Sequence, residues 1–177
     1  LSGFRVLDAG CGVGQLSVEA ARRGAEVVAI DISPTLVGIA QERAQGAADA
    51  ETLSRITWWT GDMLGEDLGS FDHVVAMDSL IHYRADDITA ALARLAPRVR
   101  RSIAFTVAPS TPALNAMWAA GKLFPRTDRS PAIQPTKASL LAKRALKVPA
   151  LHEWRIAAHE RVTSGFYISE AGEARPA

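Results

Sequence analysis

The run Asp8-Ala9-Gly10-Cys11-Gly12-Val13-Gly14 sets one carboxylate ahead of three alternating glycines, a spacing with few chemical uses. Glycine lets backbone approach a ligand closely and adopt positive φ, and a helix that follows such a loop offers unpaired N–H groups. A dinucleotide loop, G-x-G-x-x-G, needs a third glycine where Gln15 stands. A P-loop needs Gly-Lys-Ser/Thr, and none follows. Asp8 would sit badly beside a pyrophosphate and fits a cationic ligand instead. Two further acids close apolar runs. Asp31 follows residues 26–30, and Asp62 lies in Gly61-Asp62-Met63 after residues 56–60. A carboxylate can take two donors at once, which suits a diol, although Asp31 also has a reading as a helix-capping acid and Asp62 as a turn acid. Later, Asp78-Ser79-Leu80-Ile81-His82-Tyr83 gathers a carboxylate, a hydroxyl, an imidazole and a phenol behind another apolar run.

The elements that must hold these residues alternate. Residues 4–9 read as a buried strand feeding the glycine loop, and 16–23 as a helix stopped by Gly24. A second strand spans 26–30, and Ser33-Pro34 opens a helix running to about 43. The Ala-rich 45–54 reads as helix end and loop. Strands follow at 56–60, 71–77 and 102–107, with a helix at 86–95. This alternation specifies a parallel sheet covered on both faces. Prolines 109, 112, 125, 131 and 135 then bracket a helical stretch around 113–124 and a loop, before a helix at about 136–146. Two strands, 154–162 and 166–169, joined near Ser164-Gly165, end the pattern.

With 177 residues, 48% of them hydrophobic, the chain is long enough for one core without disulfides or structural metal. Its single cysteine, Cys11, excludes a disulfide framework, and no Cys/His cluster has zinc-ligand spacing. Twenty Lys plus Arg against nineteen Asp plus Glu give a net charge of +1, no basis for bulk attraction to nucleic acid or an anionic membrane. No transmembrane segment or signal peptide is visible, so the expected compartment is the cytoplasm.

The D-x-G-x-G-x-G pattern resembles the S-adenosylmethionine loop of class I methyltransferases. That resemblance implies an α/β, Rossmann-like fold with a mostly parallel seven-stranded sheet, helices on both faces and a C-terminal antiparallel hairpin. It implies that Asp8, Gly10, Gly12 and Gly14 hold the amino acid end of S-adenosylmethionine. Asp31 would meet the ribose and Asp62 the adenine amine, with Met63 in apolar contact, and Ile32 and Asp78 would complete the cofactor site. The stretches FDHVVAMDSLIHY (71–83), TVAPSTP (106–112), GKLFPRTDRSP (121–131) and SGFYIS (164–169) are together similar to the magnesium-protoporphyrin IX O-methyltransferases of bacteriochlorophyll biosynthesis. The match is weakest at 45–52 and 138–153. It implies methyl transfer to a propionate carboxylate of magnesium protoporphyrin, giving the monomethyl ester and S-adenosylhomocysteine.

Within that resemblance, residues 1–177 form one methyltransferase domain, 109–135 a substrate-covering insertion, and the family's helical segment before strand one is absent. His82 and Tyr83 are the catalytic candidates, orienting the carboxylate, with packing at a helix start as the other reading. Lys122, Arg126 and Arg129 are the candidates for binding propionates, against a solvated loop. Trp118, Leu123, Phe124, Phe166 and Tyr167 offer an apolar wall for the macrocycle or ordinary core. No residue is selected as a metal ligand. The resemblance also implies contact with the porphyrin-binding subunit of the magnesium chelatase and a place peripheral to the photosynthetic membrane. Methylation of another small molecule, or cofactor binding without turnover, fits the cofactor motifs equally.

Overall fold

A computed structural model describes residues 1–110, 133–136, 138–164 and 167–177. Strands β1 (Arg5–Ala9), β2 (Glu26–Asp31), β3 (Ile56–Thr60), β4 (Phe71–Ala76), β5 (Val99–Val107), β6 (Trp154–Ser164) and β7 (Tyr167–Pro176) form one sheet in the order β3-β2-β1-β4-β5-β7-β6. The first five run parallel, and β7 pairs antiparallel with both β5 and β6. The helices are α1 (Gln15–Arg22), α2 (Pro34–Ala47), α3 (Ala50–Ser54), α4 (Ala85–Leu95) and α5 (Ala138–Ala145).

Side chains alternate across a strand, so a sheet covered on both faces makes two cores from one apolar run. In β2, Val28 and Ile30 join Leu7, Val74, Ile103 and Phe105 in the core that includes Ile88 and Leu92 of α4 and Leu141 of α5. Val27 and Ala29 turn the other way, to Val6 and to Val18, Ala20 and Ala21 of α1. Every βα connection among the parallel strands leaves from the same edge. The chemistry-bearing residues therefore meet at that edge because they follow strand ends.

The structure moves several boundaries. Helix α2 begins as expected, with Pro34 in its first turn and the Ser33 hydroxyl accepting from Leu36 N at 3.3 Å, but it continues to Ala47. A short helix, α3, then replaces the expected loop, capped by Asp49, whose Oδ1 accepts from Thr52 N at 2.8 Å. Strand β5 starts at Val99, three residues early. Its charged start is tolerated because Arg100 pairs with Asp72 at 3.5 Å and Arg101 lies 4.6 Å from the centre of the Phe4 ring. Helix α5 is shorter than expected, since Thr136 bridges to Pro109 instead.

The largest correction is the hairpin, where β7 runs through Pro176, well past the expected end at Ser169. Residues 170–176 look polar and turn-like in sequence. Glu170 pairs across to Arg161 at 2.9 Å, and Gly172 lies so close over Phe105 that a Cβ there would be 2.8 Å from the ring. A glycine inside a strand here marks close approach of a ring. The helix expected around 113–124 and the loop after it as far as residue 132 lie outside the described residues, as do Lys122, Arg126, Arg129, Trp118, Leu123, Phe124 and Phe166.

Candidate functional site

At the carboxyl edge of β1, β2, β3 and β4 lies a cavity of about 800 Å³, lined by residues that include Asp8, Gly10, Gly12, Asp31, Ile32, Asp62, Met63, Asp78, His82 and Tyr83. Ten of the eleven expected cofactor and catalytic residues thus share one wall system. The glycine loop is tied to β2 before it reaches the cavity, because Gly10 N and Cys11 N both donate to the Ile30 carbonyl, at 2.8 and 2.9 Å. Gly10 has φ +86°, and a Cβ there would stand 2.5 Å from Ser79 Cβ. The position admits only glycine, on conformation and on space.

Gly14 is the exception. Its φ is +80°, it starts α1, and a Cβ on it would meet Trp58 at 2.7 Å and Ala40 at 2.9 Å. It is part of the loop's shape, packed toward β3 and α2, and it does not line the cavity.

The three acids differ in environment. Asp8 is 2% exposed, and its Oδ2 accepts from the Ser17 hydroxyl at 2.5 Å. Burial pushes its carboxyl up to about 6; the Ser17 hydrogen bond opposes that and the Asp31 charge adds to it. Burial also pushes the Cys11 thiol up to about 12, with Asp8 and Asp31 adding to the effect, so this cysteine is a small packing residue. Asp31 accepts from Gly12 N at 3.0 Å and from Ser33 N at 2.9 Å, one at each oxygen. It thereby fixes both the glycine loop and the entry to α2, and each oxygen keeps acceptor capacity toward the cavity. Asp62 Oδ1 accepts from Leu64 N at 2.9 Å, an Asx turn that sets Met63 into the wall, where it is buried. Both the capping and the ligand readings of Asp31 and Asp62 are therefore compatible with one geometry. Ile32 is 81% exposed, a large apolar side chain left at the rim.

Beyond β4 the backbone is unusual. Asp78 has φ +56°, rare for a residue with a side chain. Thr106 on β5 holds it there: its hydroxyl accepts from Asp78 N at 2.7 Å and donates to Asp78 Oδ1 at 3.1 Å. The turn Leu80–His82 that follows is a 3-10 helix, in which residues three apart eclipse. Ser79 and His82 accordingly both reach the cavity, and Ser79 Oγ and His82 Nδ1 are buried with no hydrogen-bond partner among the described residues. Buried polar atoms are nearly always paired. Two such orphans in one cavity fit a site whose polar partners arrive with a ligand. Tyr83, half-buried, packs beside them against the core.

Sequence reasoning gave Ser79 no role of its own and missed Thr106 and the apolar lining residues Leu16, Leu36 and Met77. Ser79 carried a signal, being three residues before His82, whereas Thr106 carried none because only the β4–β5 pairing brings it to Asp78. The donor set suits a ligand that joins a cation to hydroxyls and an aminopurine. Carboxylates face it at the end of each of three strands, a cradle at Gly10 is kept clear of any side chain, and two orphan polar atoms complete the wall.

Comparison with known proteins gives the same picture. Residues 76–176 match the family model described as magnesium-protoporphyrin IX methyltransferase C-terminus, and residues 6–102 match a methyltransferase domain model. The chain is 48% identical to magnesium-protoporphyrin O-methyltransferase of Rhodobacter capsulatus, over 99% of this chain and 74% of that protein. It is 34% identical to the chloroplastic magnesium protoporphyrin IX methyltransferase of Arabidopsis thaliana, over 99% of this chain and 54% of that one. The crystal structure of magnesium protoporphyrin IX methyltransferase from Synechocystis with bound S-adenosylhomocysteine superposes with a TM-score of 0.82 at 33% identity, over 99% of this chain and 75% of that one. Among the described residues no helix is long and apolar enough to cross a membrane.

Proposed function

The chain belongs to the magnesium-protoporphyrin IX methyltransferase family, and on that premise we propose that it transfers a methyl group from S-adenosylmethionine to one propionate carboxylate of magnesium protoporphyrin IX, giving the monomethyl ester. The observation that carries this reading is the orphaned His82 Nδ1 in the same cavity as the glycine loop and its three acids. Bound S-adenosylmethionine supplies an electrophilic methyl group on a sulfonium. Asp8, behind the loop with Gly10 and Gly12, faces the cofactor's cationic amino acid end. Asp31 would accept from the ribose hydroxyls, and Ile32, on the cavity wall, would offer the cofactor an apolar contact. Asp62 accepts from the adenine amine, with Met63 against the base. Asp78 completes the wall next to Ser79.

The acceptor needs no general base. A propionic acid near the reference carboxyl pKa of about 4.3 is ionised at neutral pH. The protein's task is alignment and exclusion of water. His82 Nδ1–H and the Tyr83 hydroxyl donate to the propionate carboxylate and fix one oxygen toward the methyl group. Lys122, Arg126 and Arg129, within the insertion 109–135, receive the propionate edge of the porphyrin, and the insertion covers the macrocycle. The porphyrin-binding subunit of the magnesium chelatase hands over the substrate, at a cytoplasmic site peripheral to the photosynthetic membrane.

The test is turnover of labelled S-adenosylmethionine with magnesium protoporphyrin and with metal-free protoporphyrin. Preferential methylation of the magnesium porphyrin is expected. Cofactor binding with no methylation of either porphyrin, yet methylation of another small molecule, would overturn the substrate assignment.

A further inference from the structure

A separate cavity of about 370 Å³ is lined by Arg84 and Ala85, the residues that follow Tyr83 of the first cavity in the chain. Its walls include Arg84, Asp86, Gln134, Thr136 and Arg144. Its floor is stitched to the machinery already described: Gln134 N donates to the Ile81 carbonyl and Thr136 N to the Ala108 carbonyl, both at 2.8 Å. Three charged side chains line it. Arg144 pairs with Asp86 at 2.6 Å, while Arg84 has no ion pair among the described residues. Among the described residues that line it, two guanidiniums thus stand against one carboxylate, next in sequence to the residues that present the methyl acceptor.

We propose that this cavity binds the carboxylate of the second propionate, the one that is not methylated, between Arg84 and Arg144. The inference rests on the reaction proposed above. Protoporphyrin carries its two propionates on neighbouring pyrrole rings along one edge of the macrocycle. When one carboxylate lies at His82 and Tyr83, the other lies further along that edge, and the chain next offers Arg84. Guanidinium is the suitable receptor because it stays charged and its fork of donors matches a carboxylate. The arrangement also limits the product to a monoester. For a second transfer the porphyrin would have to turn over and place its new methyl ester, which has no charge, between the two arginines.

The experiment titrates the full chain with magnesium protoporphyrin and with its analogue whose non-reacting propionate is an amide, following porphyrin fluorescence, for wild type, Arg84→Gln and Arg144→Gln. Cofactor affinity is measured separately by calorimetry, and products from wild type and Arg84→Gln are separated chromatographically. Wild type is expected to bind the amide roughly tenfold or more weakly than the diacid, as loss of a charge-assisted hydrogen bond predicts. Arg84→Gln is expected to lose that discrimination while cofactor affinity is unchanged, and to release some diester. A diacid-to-amide ratio near one in wild type, or one that survives in both variants, overturns the cavity assignment and leaves the reaction standing. Parallel loss of cofactor affinity in the variants also overturns it, as a fold effect. Wild type that binds neither porphyrin overturns the reaction and the cavity with it.

Discussion

Replacing Asp8 by asparagine separates what the site costs the fold from what it does for the ligand. The Asp8 carboxyl is held at about 6 against an ordinary 3.8, chiefly by burial, a displacement equivalent to about 3 kcal/mol. Between those two values the folded chain keeps a proton that the unfolded chain has released. Stability therefore falls as pH rises through that window and is lowest above about pH 6. Asparagine carries no such charge and its Oδ1 can still accept from Ser17. Without ligand, Asp8→Asn should be more stable than wild type by about 3 kcal/mol at pH 7.5, a rise in Tm of roughly 6–12 °C for a chain of this length. The difference should shrink through pH 6 and vanish below about pH 4, where both side chains are neutral. Thermal unfolding followed by circular dichroism at pH 7.5, 6 and 4 reads it directly, and other titrating groups cancel in the comparison. The same variant should bind S-adenosylmethionine more weakly at pH 7.5, because the neutral amide no longer faces the cationic end. In wild type, binding at pH 6 should release protons, seen as buffer-dependent heats in calorimetry. A variant no more stable than wild type at pH 7.5, or a gap independent of pH, would mean that burial does not hold the Asp8 carboxyl above its ordinary range.

Other expectations are simpler to state. Gly10→Ala imposes a Cβ 2.5 Å from Ser79 Cβ on a left-handed backbone; the conformation alone costs about 1–2 kcal/mol, so cofactor affinity should drop sharply in calorimetry, with partial recovery in the Gly10→Ala/Ser79→Gly double variant. His82→Ala should lower kcat/KM for the porphyrin about ten- to a hundredfold, the loss of a hydrogen bond to a charged group, and Tyr83→Phe less, both with cofactor affinity unchanged; unaltered turnover in both would remove this pair from the reaction. Charge reversal at Arg126 or Arg129 should raise the porphyrin dissociation constant and spare the cofactor, and equal effects on the two ligands would sink that assignment. Gly172→Ala forces a Cβ to 2.8 Å from the Phe105 ring and should destabilise by roughly 1–3 kcal/mol in chemical denaturation, without a matching loss of cofactor affinity once folded.

Much of this was legible in the sequence wherever the cause is local. Ser33-Pro34 opens α2 through a hydroxyl cap and a proline that needs no donor, and both lie within a few residues of what they govern. Asp8, Asp31 and Asp62 were readable because each lies at or just past the carboxyl end of its own strand. What stayed hidden depends on distant partners. Gly14 belongs to the loop by spacing, yet its absent side chain leaves room for Trp58, which only the β2–β3 pairing brings near. Asp78 keeps its left-handed backbone because Thr106, twenty-eight residues away, bonds it twice. Residues 170–176 alternate poorly as a strand, since their companions are Phe105 and Arg161 rather than one another.

The position of β7 also governs the order in which the sheet can close. Strand β6 touches the rest of the sheet only through β7, so β5 has no neighbour on its far side until the chain through Pro176 has been made. The parallel half, with the glycine loop and its acids, can assemble on a nascent chain. The β5–β7 ladder joins segments some seventy residues apart, from Ile103 to Ala174, and pairings of such long range form slowly because the intervening chain must first be confined. During that interval β5 presents an open edge, the kind that pairs promiscuously. Tags or truncations at the C-terminal end should thus act first on folding yield rather than on cofactor affinity, although the residues they disturb lie far in sequence from the loop that binds it.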